Sequence, residues 1–179
     1  MGYLSPKARR ILSSQKHYQE RREDPRDMAV QGMSVQTDDA RAVKNSFAKR
    51  GEKRTVLLVD DDELVRKVVG IQLSYLGFRV LTAENGMDGL RVFRLNASDI
   101  SLVLLDHKMP IMDGMTLLPF LRRIRPGISV IMISGSVEEL ELDKTQEQPD
   151  RFVRKPFEFE ELQDHIRNIL STIEKRECD

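Results

Sequence analysis

The amino-acid sequence predicts an α/β fold, a five-stranded parallel sheet covered by helices on both faces. Two observations carry this. From Thr55 onward, five short apolar runs alternate with stretches whose apolar residues recur at helical spacing. The runs themselves are nearly continuous in their apolar character, the pattern of strands buried on both sides. Strands joined by right-handed helical crossovers run parallel, so the alternation fixes the sheet type.

Taken in order, "TVLLVD" (55–60) is the first strand. Val65, Val68, Val69, Leu73 and Leu76 then recur as one face of a helix, which ends at Gly77, the residue best suited to a helix C-terminus. "RVLTA" (79–83) is the second strand, Asn85-Gly86 a turn, and Met87, Leu90, Phe93 and Ala97 mark a second helix. "SLVLLD" (101–106) is the third strand and "GMTLLPFLRRIR" (114–125) the third helix, with Leu117, Leu121 and Ile124 inward. Pro119 falls inside that helix, where a missing donor and a ring clash cost about 3 kcal/mol in an interior turn. A late start near Thr116, or a kink, is therefore expected. "ISVIMIS" (128–134) is the fourth strand, an acidic helix is expected from Val137 to Glu147, and "RFVRK" (151–155) is the fifth strand. Phe159, Leu162, Ile166, Ile169 and Ile173 give the last helix its apolar stripe.

A chain of 179 residues suits one compact domain with an additional segment. No apolar run approaches the roughly 18 residues of a membrane span. The N-terminus lacks the apolar stretch of a secretory signal, and Pro6 stands where a myristoylation signal has Ser or Thr. The single cysteine, Cys178, has no internal disulfide partner. These features predict a cytoplasmic setting. The net charge of zero conceals an asymmetry. Residues 1–54 hold 13 Lys and Arg against 7 Asp and Glu, and the rest hold 16 against 22, so +6 is balanced by −6. The expected organisation is a basic, flexible extension over 1–53, a compact domain over 54–173 and a tail over 174–179. Ser5 ahead of Pro6 is a good helix start, so a basic helix is expected near 6–23 and a polar linker after it. The extension reads either as a solvated arm or as a basic helix for a partner, nucleic acid or an acidic membrane surface.

Ligands of parallel sheets bind beyond the carboxyl ends of the strands, where strand order reverses. At those ends stand Asp60 and Asp61, Asp106, Ser134 and Lys155. Three carboxylates at this density ask for a hard divalent cation, with Mg²⁺ the natural choice. The lysine and hydroxyl suit an anion beside it. A cation, an anion-binding ammonium and a nucleophilic carboxylate together point to phosphoryl transfer to an aspartate. Asp62, at the start of the first helix with Glu63, is expected to cap it and meet the positive end of its dipole.

"VLLVDDDELVR" (56–66), "LVLLDHKMPIMDG" (102–114), "VIMISG" (130–135) and "RKPF" (154–157) resemble, in order and spacing, the receiver domain of two-component response regulators. The resemblance covers 54 to about 173 and implies the flavodoxin-like (βα)5 receiver fold. It further implies that Asp106 is the phosphoacceptor and that Asp61, Asp106 and the backbone carbonyl of Lys108 ligate Mg²⁺, with Asp60 acting through a bound water. Lys155 and Ser134 would hold the phosphoryl group, and Phe152 would be the switch aromatic that turns inward as Ser134 is drawn toward the phosphate. The peptide bond before Pro156 is commonly cis in that family, which would aim Lys155 into the site.

The implied partners are a histidine kinase or histidine phosphotransfer protein. A downstream protein would bind the face made by the helix over 137–147, the strand over 151–155 and the last helix. Such a chain would catalyse only its own phosphorylation and dephosphorylation and, with few residues after the last helix, work as a stand-alone receiver.

Other readings stand beside these. Asp60 to Asp62 also suit helix caps and a solvated first turn, Ser134 an ordinary strand-end hydroxyl, and Phe152 an ordinary packing aromatic. A small Mg²⁺-dependent phosphatase with an aspartyl nucleophile would place a second acid two residues after it, where this chain has Lys108. A docking module that is never phosphorylated would lack site residues that are all here. Alternation along the strand turns His107 away from the acceptor side. Lys108 puts a long cation near the phosphoryl group, and Ser134-Gly135 replaces the commoner Thr-Ala pair.

Overall fold

The structure, a computed structural model, describes residues 54–135 and 147–178. The extension over 1–53 and its helix near 6–23 lie outside the described residues, as do residues 137–146 of the acidic helix expected over 137–147. The elements are β1 (Thr55–Val59), α1 (Glu63–Tyr75), β2 (Arg79–Ala83), α2 (Gly86–Asn96), β3 (Ile100–Asp106), α3 (Gly114–Ile124), β4 (Ser129–Ser134), β5 (Arg151–Arg154) and α4 (Phe159–Cys178). The five strands form one parallel sheet in the order β2-β1-β3-β4-β5. Strand order reverses between β1 and β3, where the crevice of a doubly wound sheet opens.

Alternation along the central strands divides the core into two layers. Val56, Leu58, Leu102, Leu104, Ile131 and Ile133 face one side, where Val65, Val69 and Leu73 of α1 and Leu162, Ile166 and Leu170 of α4 cover them. Leu57, Val59, Val103, Leu105, Val130 and Met132 face the other, under Leu90 and Phe93 of α2 and Leu117, Leu118 and Leu121 of α3. With both faces covered, these strands have no polar side, which is why they read as continuous apolar runs. Among the described residues, no helix is long and apolar enough to cross a membrane.

Several boundaries differ from the sequence expectation. Asn85 is the N-cap of α2, its side chain accepting from the Asp88 N–H at 2.9 Å, and Gly86 opens the helix where a turn was expected. The third helix begins at Gly114, ahead of Thr116, and continues through Pro119. Asp113 caps it, accepting from the Thr116 N–H at 2.7 Å. Pro119 is the sixth helical residue, where it gives up the bond to the Met115 carbonyl and crowds it, while buried Leu117, Leu118 and Leu121 hold the helix on the sheet. Ile124, expected inward, is exposed at the last turn. Residues 174–178, expected as a tail, continue α4. The buried Arg54 guanidinium, just ahead of β1, hydrogen-bonds Glu174 and so ties that extra turn to the sheet. Gly77 ends α1 with φ +98°, the left-handed conformation that favours glycine.

Gly114 marks a close approach that positions the site. A Cβ there would lie 2.5 Å from the backbone oxygen of Asp106. Gly114→Ala should therefore destabilise the protein by about 1–3 kcal/mol through overpacking. Gly127→Ala, where a Cβ meets nothing within 4 Å, should stay within about 0.5 kcal/mol of wild type in urea unfolding. Equal stability of the two variants would refute the close-packing account.

Candidate functional site

Register brings the strand ends level. Val59 pairs with Leu105, so the residues that follow, Asp60 and Asp106, reach the carboxyl edge side by side across the switch point. Ile133 pairs with both Asp106 and Val153, which places Lys155, two residues beyond Val153, on the Asp106 side of the sheet. The peptide bond between Lys155 and Pro156 is cis. Lys155 Nζ donates to Asp60 Oδ2 at 2.7 Å and lies 2.9 Å from Asp106 Oδ1. The two carboxylate side chains are 2% and 3% exposed and the lysine 10%, so the pairing takes place away from bulk water.

Burial works against the charged ammonium, but the carboxylates of Asp60 and Asp106 and their hydrogen bonds outweigh it and raise the Lys155 pKa above its ordinary value. Asp60 Oδ1 also accepts from the Asp62 N–H at 2.9 Å. Asp62 is the α1 cap, accepting from Leu64 and Val65 N–H at 2.9 and 3.3 Å, as its position in the sequence suggested. Asp61 is exposed at the crevice mouth. One carboxylate oxygen from each of Asp60, Asp61 and Asp106 lies within 4.8 Å of the others. Three carboxylates against one ammonium leave two negative charges in hand. The donor set therefore fits a hard divalent cation with all-oxygen ligation.

Ser134 and Phe152 stand on the opposite side. Met132, two residues before Ser134, pairs with Phe152, and both belong to the layer beneath α2 and α3, where Phe152 is half-buried. The Ser134 hydroxyl is buried, 3.2 Å from His107 Nδ1, and the Ser134 carbonyl accepts from the Lys155 N–H at 2.6 Å. His107 leaves the acceptor side, as alternation required, and is buried against Ser134, a contact that alternation alone did not reveal. Lys108 follows in the bend after β3 with its side chain exposed.

The loop after β3 holds a second feature that sequence reasoning missed. Ile111 has φ +70°, and the Met112 N–H donates to Pro110 O at 2.8 Å, a γ-turn around a β-branched residue. The turn presents the Met112 carbonyl to the Gly86 N–H at 3.1 Å, tying the loop to α2. Only the Pro110 in this stretch hints at a tight turn.

The comparison that decides the assignment is one of sequence. Residues 56–167 match the response regulator receiver domain family. The chain belongs to that family. It is 38% identical over 117 residues to the transcriptional regulatory protein GlrR of Escherichia coli (strain K12), covering 64% of this chain. That alignment spans only 26% of GlrR. Among solved structures it resembles a response regulator receiver domain protein from Clostridium thermocellum at 30% identity and a TM-score of 0.62, covering 67% of this chain and 96% of that one. It also resembles the CheX-CheY-BeF3-Mg²⁺ complex of Borrelia burgdorferi at 25% identity and a TM-score of 0.66, covering 72% and 98%. The receiver is a two-component signalling module, and the five-stranded parallel sheet found here is its fold.

Because Lys155 neutralises two buried carboxylates, Lys155→Met should lower stability by about 3 kcal/mol at pH 7 in the metal-free protein. A raised lysine pKa gives a contribution that is full below the ordinary value of 10.5 and is lost as the pH climbs through the folded value. The difference between wild type and variant in urea unfolding should thus be constant from neutral pH to 9 and shrink only above 10.5. A difference that disappears between neutral pH and 9 would contradict this pairing.

Proposed function

We propose that Asp106 is the phosphoacceptor of this receiver, taking a phosphoryl group from a phosphohistidine on a histidine kinase or histidine phosphotransfer protein. The observation that carries the reading is the shared ammonium. Lys155, 95 residues from Asp60 in sequence, sits within hydrogen-bond reach of Asp60 and Asp106 at the switch point. A carboxylate that is already paired with an ammonium can accept an incoming anion beside it, because the ammonium can transfer its attraction to the phosphoryl oxygens.

A carboxylate oxygen of Asp106 attacks phosphorus in line as the phosphorus–nitrogen bond breaks, and the electron pair and a proton go to the departing imidazole. The product is an acyl phosphate. Lys155 then pairs with the phosphoryl oxygens, and the Ser134 hydroxyl donates to one of them. Mg²⁺, held by Asp61, Asp106 and the Lys108 backbone carbonyl with Asp60 acting through a water, would supply neutralising charge to those oxygens. Phe152 shares its side of the sheet with Ser134 and so follows the hydroxyl as it moves.

The output is a protein contact through the surface that carries β5 and α4, with the segment over 137–147, expected as a helix, as its third member. The receiver unit runs over 54–173, and the basic extension over 1–53 is the segment with the charge for any nucleic-acid contact. The setting is cytoplasmic, and the catalysis is confined to the protein's own phosphorylation and dephosphorylation.

Wild-type protein incubated with Mg²⁺ and acetyl phosphate should gain an acid-labile phosphoryl group at one site. Asp106→Asn or removal of Mg²⁺ with EDTA should abolish it, and Asp61→Asn should raise the Mg²⁺ concentration required by roughly tenfold or more. Labelling that persists in Asp106→Asn, or its absence from wild type, would overturn the assignment.

A further inference from the structure

His107 is used neither by the charged cluster nor by the core. It is the first residue past β3, its N–H donates to Ile133 O at 2.9 Å, and its carbonyl accepts from the Gly114 N–H at 2.9 Å. With its main chain pinned on both sides, the buried imidazole lies against the Ser134 hydroxyl, Nδ1 at 3.2 Å from it. Both groups are buried, and their bond connects the ends of neighbouring strands on the side of the sheet away from Asp106 and Lys155. Ser134 is thus held at two points, by Lys155 through its carbonyl and by His107 through its side chain.

We propose that His107 is a positioning residue of the switch: it retains the Ser134 hydroxyl on the side away from Asp106, and a phosphoryl group must draw the hydroxyl out of that bond. The inference rests on the reading of Asp106 as phosphoacceptor and of Ser134 as its hydroxyl partner. With Nδ1 as the acceptor, the one hydroxyl proton cannot serve both His107 and a phosphoryl oxygen. The energy of the first bond is therefore subtracted from the affinity for the second. His107 accordingly biases the receiver toward its resting state without touching the reacting atoms.

The experiment uses beryllofluoride with saturating Mg²⁺ as the phosphoryl probe, titrated into the full chain while the Ser134 and Gly135 amide resonances are followed. A net buried hydrogen bond is worth about fivefold in an equilibrium, so His107→Leu should bind the probe about fivefold more tightly than wild type. His107→Phe keeps a ring in the site without the nitrogen and should do the same, which guards against a folding defect peculiar to leucine. His107→Asn puts an amide atom near the place of Nδ1 and should return the affinity toward wild type. In a Ser134→Ala background, His107→Leu should change nothing further.

Equal tightening by Asn and Leu, or a His107 effect that survives Ser134→Ala, would show packing in place of positioning and overturn the inference alone. A wild type that neither binds beryllofluoride nor is labelled by acetyl phosphate would overturn the phosphoacceptor reading, and the inference with it.

Discussion

One ammonium holds this site together. Lys155 Nζ satisfies a carboxylate from the end of β1 and another from the end of β3, although its own strand lies at the edge of the sheet and theirs are central. The arrangement needs the whole sheet, because only the register of β1 on β3, β3 on β4 and β4 on β5 brings residues 60, 106 and 155 to one edge. It also sets a limit on chemistry. Two buried carboxylates with one cation are balanced closely enough to fold, yet with exposed Asp61 beside them they stay short of positive charge. The remaining negative charge favours a divalent ion beside the ammonium.

The second constraint is the two-residue period of a strand. Side chains at the carboxyl edge fall on one side or the other by parity, and parity sorts them by task. Asp60, Asp106 and Lys155 continue the side of Leu58, Leu104 and Val153, whereas His107, Ser134 and Phe152 continue the side of Leu105 and Met132. Charge is gathered on one side and the hydroxyl and aromatic on the other. Under the proposed function, the sheet edge between them is the place where a chemical change on Asp106 would become a packing change under α2 and α3.

Parity also explains how far the sequence could be read. The strands were legible because burial on both faces makes them continuously apolar, and the residues at their ends were legible because a parallel sheet has only one edge for ligands. Asp62 was separable from Asp60 and Asp61 because a cap sits directly before its helix. The relation between His107 and Ser134 was not legible, since it depends on pairing Asp106 with Ile133 and nothing in either strand fixes that register locally. Alternation alone correctly moved His107 off the acceptor side, but it was silent on what the ring would meet there. The start of α3 was misplaced for a similar reason. A proline's cost is local, and the burial of Leu117, Leu118 and Leu121 that offsets it is tertiary. Asn85-Gly86 looked like a turn because the same pair serves hairpins and helix caps, and only the following helix decides between them.

The loop between β3 and α3 shows what a precisely held acceptor demands of its surroundings. Gly114 leaves no room for a side chain against the Asp106 carbonyl, its N–H is bonded to the His107 carbonyl, and Ile111 carries a γ-turn that a β-branched residue adopts only when its surroundings impose it. These features fix the main chain at Asp106 and His107 from the α3 side, while hydrogen bonds along β4 fix it from the other. With the main chain of β3 bonded on both sides, shifting that strand would cost several hydrogen bonds at once. On the neighbouring strand, the Ser134 hydroxyl is bonded to His107 Nδ1 at 3.2 Å, a contact of ordinary strength that the proposed switch would break. Under the proposed function, a strand pinned on both sides beside a hydroxyl in a breakable bond is the arrangement a two-state response requires.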